Sequence, residues 1–482
     1  MKKVINYFLG ILFLVGATSC EKQLTDIQPI DQIPAQNAIS TLVDVGSAVN
    51  GVYGTYSGRR PHYLSSFMTD EVRLGTGSEY RNVGNILFNW QHVSDSQDWR
   101  DGENGGAWTN LYQVIDRANR VLELMVPVPT ANATEEALKN QYRGEMLALR
   151  AMAHLELLRW YAPTPQYTAD QLGVVLQKEY VKAPGSYRPS RNTQGEVMNQ
   201  IIADLAEARN LIPTTFTDIS RITRNAVIAS QVRAAVHTRS WQTVVDRANE
   251  LLALQPIATR ANYATLWTTR SIAPANQSTE IIWRLNVQAL NLGAAVGSLW
   301  QDVGTGAVQA SPAVKLMNTF DQANDIRFST FFRTTPRNLI AKYGFVVTGH
   351  GENFQYDIKM IRSSEILLAR AEAYAELNNL TAANADLNTL RSNRITGYIH
   401  IPVLDRNQLI TDILQERYKE LCYEGQRYFD LKRRSLPINR DLADAGGQAT
   451  IQTLLPTNPK YILPIPQQET FANPNMQQNA GY

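Results

Sequence analysis

The chain has 482 residues, of which 44% are hydrophobic and 19% are charged, so it is long enough to bury a large core. Its 46 Lys and Arg nearly balance its 44 Asp and Glu, and no tract of five or more basic residues occurs, which argues against nucleic-acid binding. The six histidines are scattered and the two cysteines, Cys20 and Cys422, are far apart, so we predict no metal site and no cofactor.

The first twenty residues have the pattern of a lipoprotein signal. Two lysines precede an apolar run over residues 4–17, and three small residues then lead to Cys20. A helix of about 14 residues rises about 21 Å, which is too short for the roughly 30 Å hydrocarbon core, so this run is a signal segment and not a membrane span. We predict a signal peptide over residues 1–19 and lipid attachment to Cys20. An ordinary cleaved signal with a chance cysteine is the alternative.

The next segments alternate between an irregular and a helical pattern. Residues 20–37 are polar and predict a lipidated N-terminal tether. Apolar residues at three- and four-residue spacing then predict a helix from residue 38 to about 57. Residues 59–107, the first insert, combine many glycines with isolated aromatic residues. This composition predicts a long structured loop region, and such loops are often functional.

A series of amphipathic helices follows the first insert. The predicted bounds are 108–122, 142–161, 194–211, 224–238 and 241–253. The last two are separated by Arg239 and Ser240 alone, which predicts an antiparallel helix hairpin. Residues 256–350, the second insert, break into short apolar alternations with several glycines, and predict an irregular segment with a short strand pair near residues 281–285.

The C-terminal third returns to helices. Residues 362–377 and 381–394 carry large, small and aromatic residues at the spacing of a tetratricopeptide helix pair: Leu367, Ala371, Tyr374, Ala383 and Leu387. One charged helix is predicted over residues 412–433. The proline- and asparagine-rich residues 436–482 are predicted to wrap over the surface.

The charged helix places Glu416, Glu420 and Glu424 on one face, with Arg417 and Arg427 nearby. Paired carboxylates could serve a glycosidase. Charges at three- and four-residue spacing more often form ion pairs that hold a helix against its neighbours, and we favour that interpretation. We expect Cys422, on the apolar side of the same helix, to be a small buried residue.

A second acidic pattern lies in the second insert. Asp321 and Asp325 precede Arg327 and could suggest a calcium loop. The usual spacing of calcium ligands is missing, so we favour a helix end with a salt bridge.

Five blocks of the sequence resemble one known family. They lie at residues 108–119, 149–161, 361–372, 416–433 and 463–482, and include Trp108, Leu111, Tyr112, Glu365, Arg417 and Asp430. In letters, order and spacing they resemble the SusD/RagB family of lipid-anchored nutrient-binding proteins from Bacteroidota. The resemblance covers nearly the whole chain after Cys20.

The resemblance implies a mostly α-helical fold, in which tetratricopeptide-like helix pairs form an α-α superhelix and long irregular inserts form the ligand face. A single domain would span residues 38–482, with helical pairs over about 38–255 and 361–435. The implied partner is a SusC-like TonB-dependent transporter of the outer membrane. The implied location is the outer membrane, with a lipid anchor and the protein facing the cell exterior. The implied cargo is an oligosaccharide or polysaccharide, although some relatives take peptides.

Sugar binding needs flat aromatic faces with polar side chains at the rim. The ligand residues of the family lie in variable regions, so we choose positions from the two inserts. The first insert offers Arg73, Tyr80, Trp90, Asp98 and Trp99, and the second offers Trp300 beside Gln301 and Asp302. Packing under a long loop is the alternative for each aromatic residue.

The sequence leaves three functions open. Glycan capture without catalysis is favoured. Peptide capture would require polar groups that pair with a peptide backbone, and a lipid-anchored hydrolase would require carboxylates that converge in one pocket.

Overall fold

The computed structural model describes residues 38–75, 84–95, 102–268, 280–286, 295–302, 306–335, 337–344, 356–445 and 452–482, with the backbone alone for residues 102–105 and 268. The signal segment, Cys20 and the tether lie outside these residues. The described chain is mostly helical, which confirms the predicted fold class. No helix among the described residues is long and apolar enough to span a membrane.

The longer helices of the described residues follow the chain in this order: α1 (Leu42–Thr55), α2 (Arg59–Met68), α3 (Gly102–Leu124), α4 (Ala133–Tyr161), α5 (Gln194–Leu211), α6 (Arg224–Thr238), α7 (Trp241–Leu254), α8 (Ser363–Glu376), α9 (Leu380–Ser392), α10 (Arg406–Glu420) and α11 (Arg427–Arg433). Shorter helical turns lie at Asn85–Phe88, Pro184–Ser186, Arg260–Tyr263, Thr265–Thr268, Val296–Leu299, Val314–Met317, Ile326–Phe331, Leu442–Ala445, Pro459–Tyr461 and Gln467–Ala472.

The strands are short and form antiparallel pairs. They are β1 (Val72–Arg73), β2 (Ile281–Leu285), β3 (Ser311–Pro312), β4 (Phe332–Arg333), β5 (Leu339–Ile340), β6 (Ile358–Arg362), β7 (Ile438–Asn439) and β8 (Thr453–Leu454). The pairs are β1 with β3, β2 with β6, β4 with β5 and β7 with β8. β2 is the strand predicted near residue 281, and its partner β6 leads directly into α8.

Helices that follow one another in the chain pack side by side: α3 on α4, α4 on α5, α5 on α6, α6 on α7, α7 on α8, and α8 on both α9 and α10. The link between α6 and α7 consists of Arg239 and Ser240, as predicted. Arg239 adopts a left-handed φ of 59° and donates its backbone N–H to carbonyl oxygens of the last turn of α6. This cap ends α6 within one residue and lets α7 fold back on it.

The predicted tetratricopeptide pair corresponds to α8 and α9. Ala371 and Ala383 are fully buried where these helices meet. They belong to a separate hydrophobic cluster that also contains Leu367, Leu387, Leu390, Leu409 and Ile413. Small residues at the contact allow the two backbones to approach closely, so the interpretation of this pattern is confirmed.

Helix α2 lies in the first insert, where the sequence predicted a loop. It packs on α3 and α11, and its side chains are buried on nearly every side, including the polar ones of His62, Ser65 and Ser66. A helix surrounded by protein shows no apolar stripe, because no face of it meets water. The periodicity that marks surface helices is therefore absent from this segment.

The charged helix predicted over residues 412–433 is two helices. α10 ends at Glu420, and the turn that follows contains Tyr423 and Gly425 at positive φ angles of 62° and 77°. A Cβ at Gly425 would lie 3.1 Å from the carbonyl carbon of Pro61, so the chain of α2 passes directly over this turn. The charge pattern continues through the turn, which is why the sequence suggested one helix.

Helix α4 begins nine residues before the predicted start. Asn132 caps it by accepting hydrogen bonds from the backbone N–H groups of Thr134 and Glu135, both at 3.0 Å. Residues 133–140 are exposed or half-buried and lack the apolar stripe. The cap, and not hydrophobic periodicity, is the signal that marks this end.

The C-terminal segment follows the body of the protein closely, and part of it is buried. Tyr461, Leu463 and Ile465 are fully buried. Near the end, the side-chain amide of Asn479 donates to the carbonyl oxygens of Tyr161 and Leu463 at 3.0 and 2.8 Å. The segment therefore contributes core residues in addition to its predicted course over the surface.

Candidate ligand-binding face

The two inserts are joined by backbone hydrogen bonds. β1 of the first insert pairs with β3 of the second, and Val72 lies opposite Pro312. Beside this pair, the N–H of Ala313 donates to the carbonyl oxygen of Glu71 at 3.0 Å. We call the described residues of this joined region, 59–75, 84–95, 295–302 and 306–313, the ligand face, after the ligand residues predicted there.

Trp300 lies inside the ligand face and not on its surface. Its side chain is fully buried, with its ring stacked on Phe67 of α2 (6.1 Å between centroids, 23° between planes) and beside Tyr423 (5.4 Å, 57°). The preceding turn, Val296–Leu299, is itself buried against α2, so the indole that follows it enters the core. This corrects the expected exposed stacking surface, and the packing alternative describes Trp300.

Trp90 is also a packing residue. It is 4% exposed, and its indole N–H donates to the carbonyl oxygen of Met68 at 2.8 Å. The guanidinium group of Arg440 lies 4.2 Å from the ring centroid and covers one aromatic face. A sugar would have to displace this arginine, whose Nε donates to the carbonyl oxygen of Thr69 at 2.9 Å.

The other predicted ligand residues have different positions. Arg73 is half-buried on β1, where it lies opposite Ser311 of the second insert. Tyr80, Asp98 and Trp99 lie outside the described residues, so their role stays a prediction. The described part of the ligand face is therefore a buried aromatic layer with Arg73 at its edge.

The three glutamates of the charged segment lie in a buried ion-pair network. Glu420 contacts the guanidinium groups of Arg327 at 3.2 Å, Arg362 at 3.1 Å and Arg394 at 3.2 Å. Burial by itself raises the pKa of Glu420, and the three guanidinium groups together lower this pKa well below its usual range. The carboxylate is thus held in its charged form.

The other members of the network are paired in the same way. Glu416 binds Arg327 and Arg391, Glu424 binds Arg362 and Lys342, and Glu280 binds Arg362 and Arg394. These cations come from the second insert, the end of β6 and the end of α9. The network therefore ties three distant chain segments to α10 and the turn after it, which confirms the ion-pair interpretation.

The partners themselves differ from those that the sequence suggested. Arg417 pairs with Asp430 at 2.9 Å, and Arg427 pairs with Asp70 of the first insert at 2.8 Å. Neither binds the three glutamates. Helical spacing identified which residues form ion pairs, but no local signal indicates a partner that is 357 residues away in the chain, as Asp70 is from Arg427.

The acidic pair of the second insert forms a helix end. Asp325 caps the turn Ile326–Phe331 by accepting the N–H of Arg327 at 3.0 Å, and it also pairs with the Arg327 guanidinium at 2.7 Å. This confirms the predicted salt bridge. Within the described ranges, no group of three His, Cys, Asp or Glu side chains is arranged to hold a metal ion.

A buried thiol, that of Cys422, and a buried carboxyl group, that of Glu71, lie beside the aromatic layer. Cys422 is fully buried, and burial raises the pKa of its thiol to about 12, which fits the expected packing role. Burial also raises the pKa of Glu71 to about 7, although its carboxylate accepts hydrogen bonds from Ser66 at 2.7 Å and from the N–H of Tyr423 at 2.9 Å.

The raised pKa of Glu71 predicts a pH-dependent stability. Glu71 titrates near 4.5 in the unfolded chain and near 7 in the folded one, so its contribution is fully present below pH 4.5 and is lost as pH rises through 7. Glu71→Gln removes this dependence. Between about pH 5 and about pH 8, urea unfolding should show the variant gaining more than about 1 kcal/mol relative to the wild type. Parallel pH profiles for the two proteins would contradict the assignment.

Two family models match the chain. Residues 32–235 match a family described as "Starch-binding associating with outer membrane", and residues 346–482 match one described as "SusD family". These matches include α1 to α5 and α8 to α11. The chain belongs to the SusD/RagB family. The recognition from the sequence blocks is thus confirmed.

Relatives across the SusD/RagB family align with the chain over its length. It is 24% identical over 545 residues to SusD-like protein P2 of Formosa agariphila, covering 100% of both proteins. A solved SusD-like carbohydrate binding protein from Bacteroides vulgatus superposes with a TM-score of 0.75 at 22% identity, covering 91% of this chain and 98% of that one. A solved laminarin binding SusD-like protein gives 0.70 at 19% identity, covering 92% and 100%. At these identities, the likeness shows a shared fold.

The SusD/RagB fold explains why the recognisable sequence blocks are buried. The block at residues 416–433 supplies the ion-pair network, and the block at 149–161 is the buried second half of α4. These residues hold helices together.

Proposed function

We propose that this protein is a lipid-anchored, cell-surface glycan-binding protein of the outer membrane. In this proposal it captures an oligosaccharide or polysaccharide and delivers it to a SusC-like TonB-dependent transporter. The names of its relatives support the cargo class, since one family is described as starch-binding and a similar solved protein as laminarin binding.

The observation that carries the proposal is the pairing of β1 with β3. It joins the two inserts, from which the ligand residues were predicted, into one face with a rigid aromatic layer beneath. A preformed support of this kind lowers the entropy that is lost when a ligand binds. The buried carboxylates argue against the hydrolase, because their partners hold Glu416, Glu420 and Glu424 in the network.

The proposal is tested by a glycan and peptide array probed with residues 21–482. We expect retention of a neutral glycan class and none of the peptides. Trp99→Ala should then weaken binding by about 1 to 3 kcal/mol, because a stacking surface is lost. Affinity electrophoresis in gels containing the retained glycan measures this change.

A control variant shows whether the loss of glycan binding is specific to Trp99 or follows the removal of any aromatic ring. Trp241→Ala removes a half-buried indole on α7, which belongs neither to the ligand face nor to the two inserts, and we expect unchanged binding. If the array retained peptides in place of glycans, the function would be peptide capture. If Trp99→Ala retained the glycan normally, the predicted placement of the binding site in the first insert would be wrong.

Lipid attachment is tested separately from ligand binding. The wild type, expressed with its signal segment, should partition into the detergent phase of Triton X-114 extracts. Cys20→Ala should stay in the aqueous phase, because two or more acyl chains are needed for stable anchoring. Glycan binding by the variant should be unchanged, whereas growth on the glycan should be lost. Normal growth with a fully aqueous variant would contradict the role of the anchor.

A further inference from the structure

A cleft of about 430 Å³ lies between α3, the segment at residues 175–189 and the C-terminal segment at residues 469–476. This volume is within the range of small-molecule sites, roughly 300 to 1,000 Å³. Arg73, Trp90 and Trp300 do not line it. The cleft is therefore distinct from the described part of the ligand face.

Hydrogen bonds from side chains fix the walls of the cleft. The hydroxyl of Tyr112 donates to the carbonyl oxygen of Val175 at 3.0 Å, which holds α3 against the segment at residues 175–189. The amide of Asn473 donates to the carbonyl oxygen of Pro189 at 2.7 Å, which holds the C-terminal segment there as well. A ligand would thus meet a site that is already formed, and little ordering would oppose binding.

The cleft carries aromatic rings of graded exposure. Trp108 and Tyr112 are neighbours, with ring centroids 4.8 Å apart, and are buried and half-buried respectively. Tyr187 is 39% exposed at the rim. Rings in this arrangement offer an apolar floor and one accessible face, which suits the C–H side of a pyranose.

The polar groups of the cleft favour an uncharged ligand. Two amides that can both donate and accept line it, Gln113 and Gln177, whereas the amide of Asn473 already bonds to Pro189. Its charged side chains are two acids and two bases: Asp116, Glu469, Arg117 and Arg188. Since these charges balance, the cleft has no net attraction for an anion or a cation, while hydroxyl groups find partners of both kinds.

We propose that this cleft is a second carbohydrate-binding site, which takes a neutral pyranose unit against Tyr187, with the half-buried ring of Tyr112 as its floor and the buried Trp108 packed behind it. The inference rests on the proposed glycan-binding function and extends it. Two sites on one chain would hold a long glycan at two points, which raises the overall affinity without new contacts at either site.

Calorimetric titration tests the site with laminarin oligosaccharides and malto-oligosaccharides as neutral probes. We expect the wild type to bind more oligosaccharide per chain than Tyr187→Ala does, and the variant to lose at least about tenfold in affinity at the cleft. Tyr187→Phe should retain most of the binding, because the ring is kept. Tyr187 is exposed, so equal unfolding midpoints for the three proteins should show that folding is unaffected.

Comparison with Trp99→Ala distinguishes the two sites. If Tyr187→Ala also lowers the binding of a protein that already carries Trp99→Ala, this result supports an independent cleft site. Unchanged titrations for Tyr187→Ala, with binding lost in Trp99→Ala, would overturn the cleft while the proposed function stands. If sulfated oligosaccharides bound more tightly than neutral ones, the proposal that the cleft takes an uncharged ligand would be wrong. A wild type that binds neither probe and also retains no glycan on the array would overturn both proposals.

Discussion

Arg362→Met is expected to lower the free energy of unfolding by about 3 to 5 kcal/mol, because it removes one partner of a buried charge cluster. The guanidinium group of Arg362 donates to both carboxylate oxygens of Glu424, at 2.7 and 2.8 Å, and also binds Glu280 and Glu420. Without it, negative charge stays in a region that water does not reach. Urea unfolding of residues 21–482 measures the loss.

The matched control is an ion pair at the surface. Arg143 and Glu207 lie 2.8 Å apart with side chains 38% and 46% exposed. Because water screens this pair, Arg143→Met should cost less than about 1 kcal/mol. If the two variants lost the same stability, the buried network would contribute no more than a surface pair, and its role in joining chain segments would be wrong.

Trp300→Ala is expected to destabilise the fold by about 3 to 5 kcal/mol, because it opens a cavity under the ligand face. Trp300 packs between Phe67 of α2 and Tyr423 of the turn after α10, so its removal loosens contacts between three chain segments. Trp241, which is half-buried on α7, provides the control, and Trp241→Ala should cost clearly less. Urea unfolding compares the two variants.

The conservative variant distinguishes packing from ligand stacking. Trp300→Phe keeps an aromatic ring in the core and should retain both the fold and the glycan affinity of the wild type. A tenfold or greater loss of glycan affinity in a stably folded Trp300→Phe would show that the indole contacts ligand. In that case the sequence-based assignment of Trp300 would be right and the packing assignment wrong.

The helices of the chain show where sequence patterns succeed. The bounds of α5 and α6 agree with the prediction at both ends, because each helix has a clear start signal, at Thr193 or Thr223, and α5 also has one apolar face against the core. The same method missed α2, which has no solvent face. It also joined α10 and α11, since the turn between them keeps the charge pattern and its shape depends on the approach of Pro61.

The candidate site was harder to predict than the helices. Aromatic residues in irregular segments are typical both of ligand platforms and of packing under loops, and the sequence offers no measure of exposure. The structure assigns Trp90 and Trp300 to packing. It also brings Tyr187 beside Trp108 and Tyr112, although Tyr187 follows Pro184 and Gly185 in a segment that carried no recognised pattern.

The sequence by itself determined the family, the helical class and the ion-pair nature of Glu416, Glu420 and Glu424. These properties depend on local spacing and on blocks of neighbouring residues, which a linear pattern contains. Tertiary structure alone decided which cations bind those glutamates, which tryptophans are buried and how the two inserts join. Those properties depend on contacts between residues hundreds of positions apart, and burial is set by whatever the rest of the chain places on top.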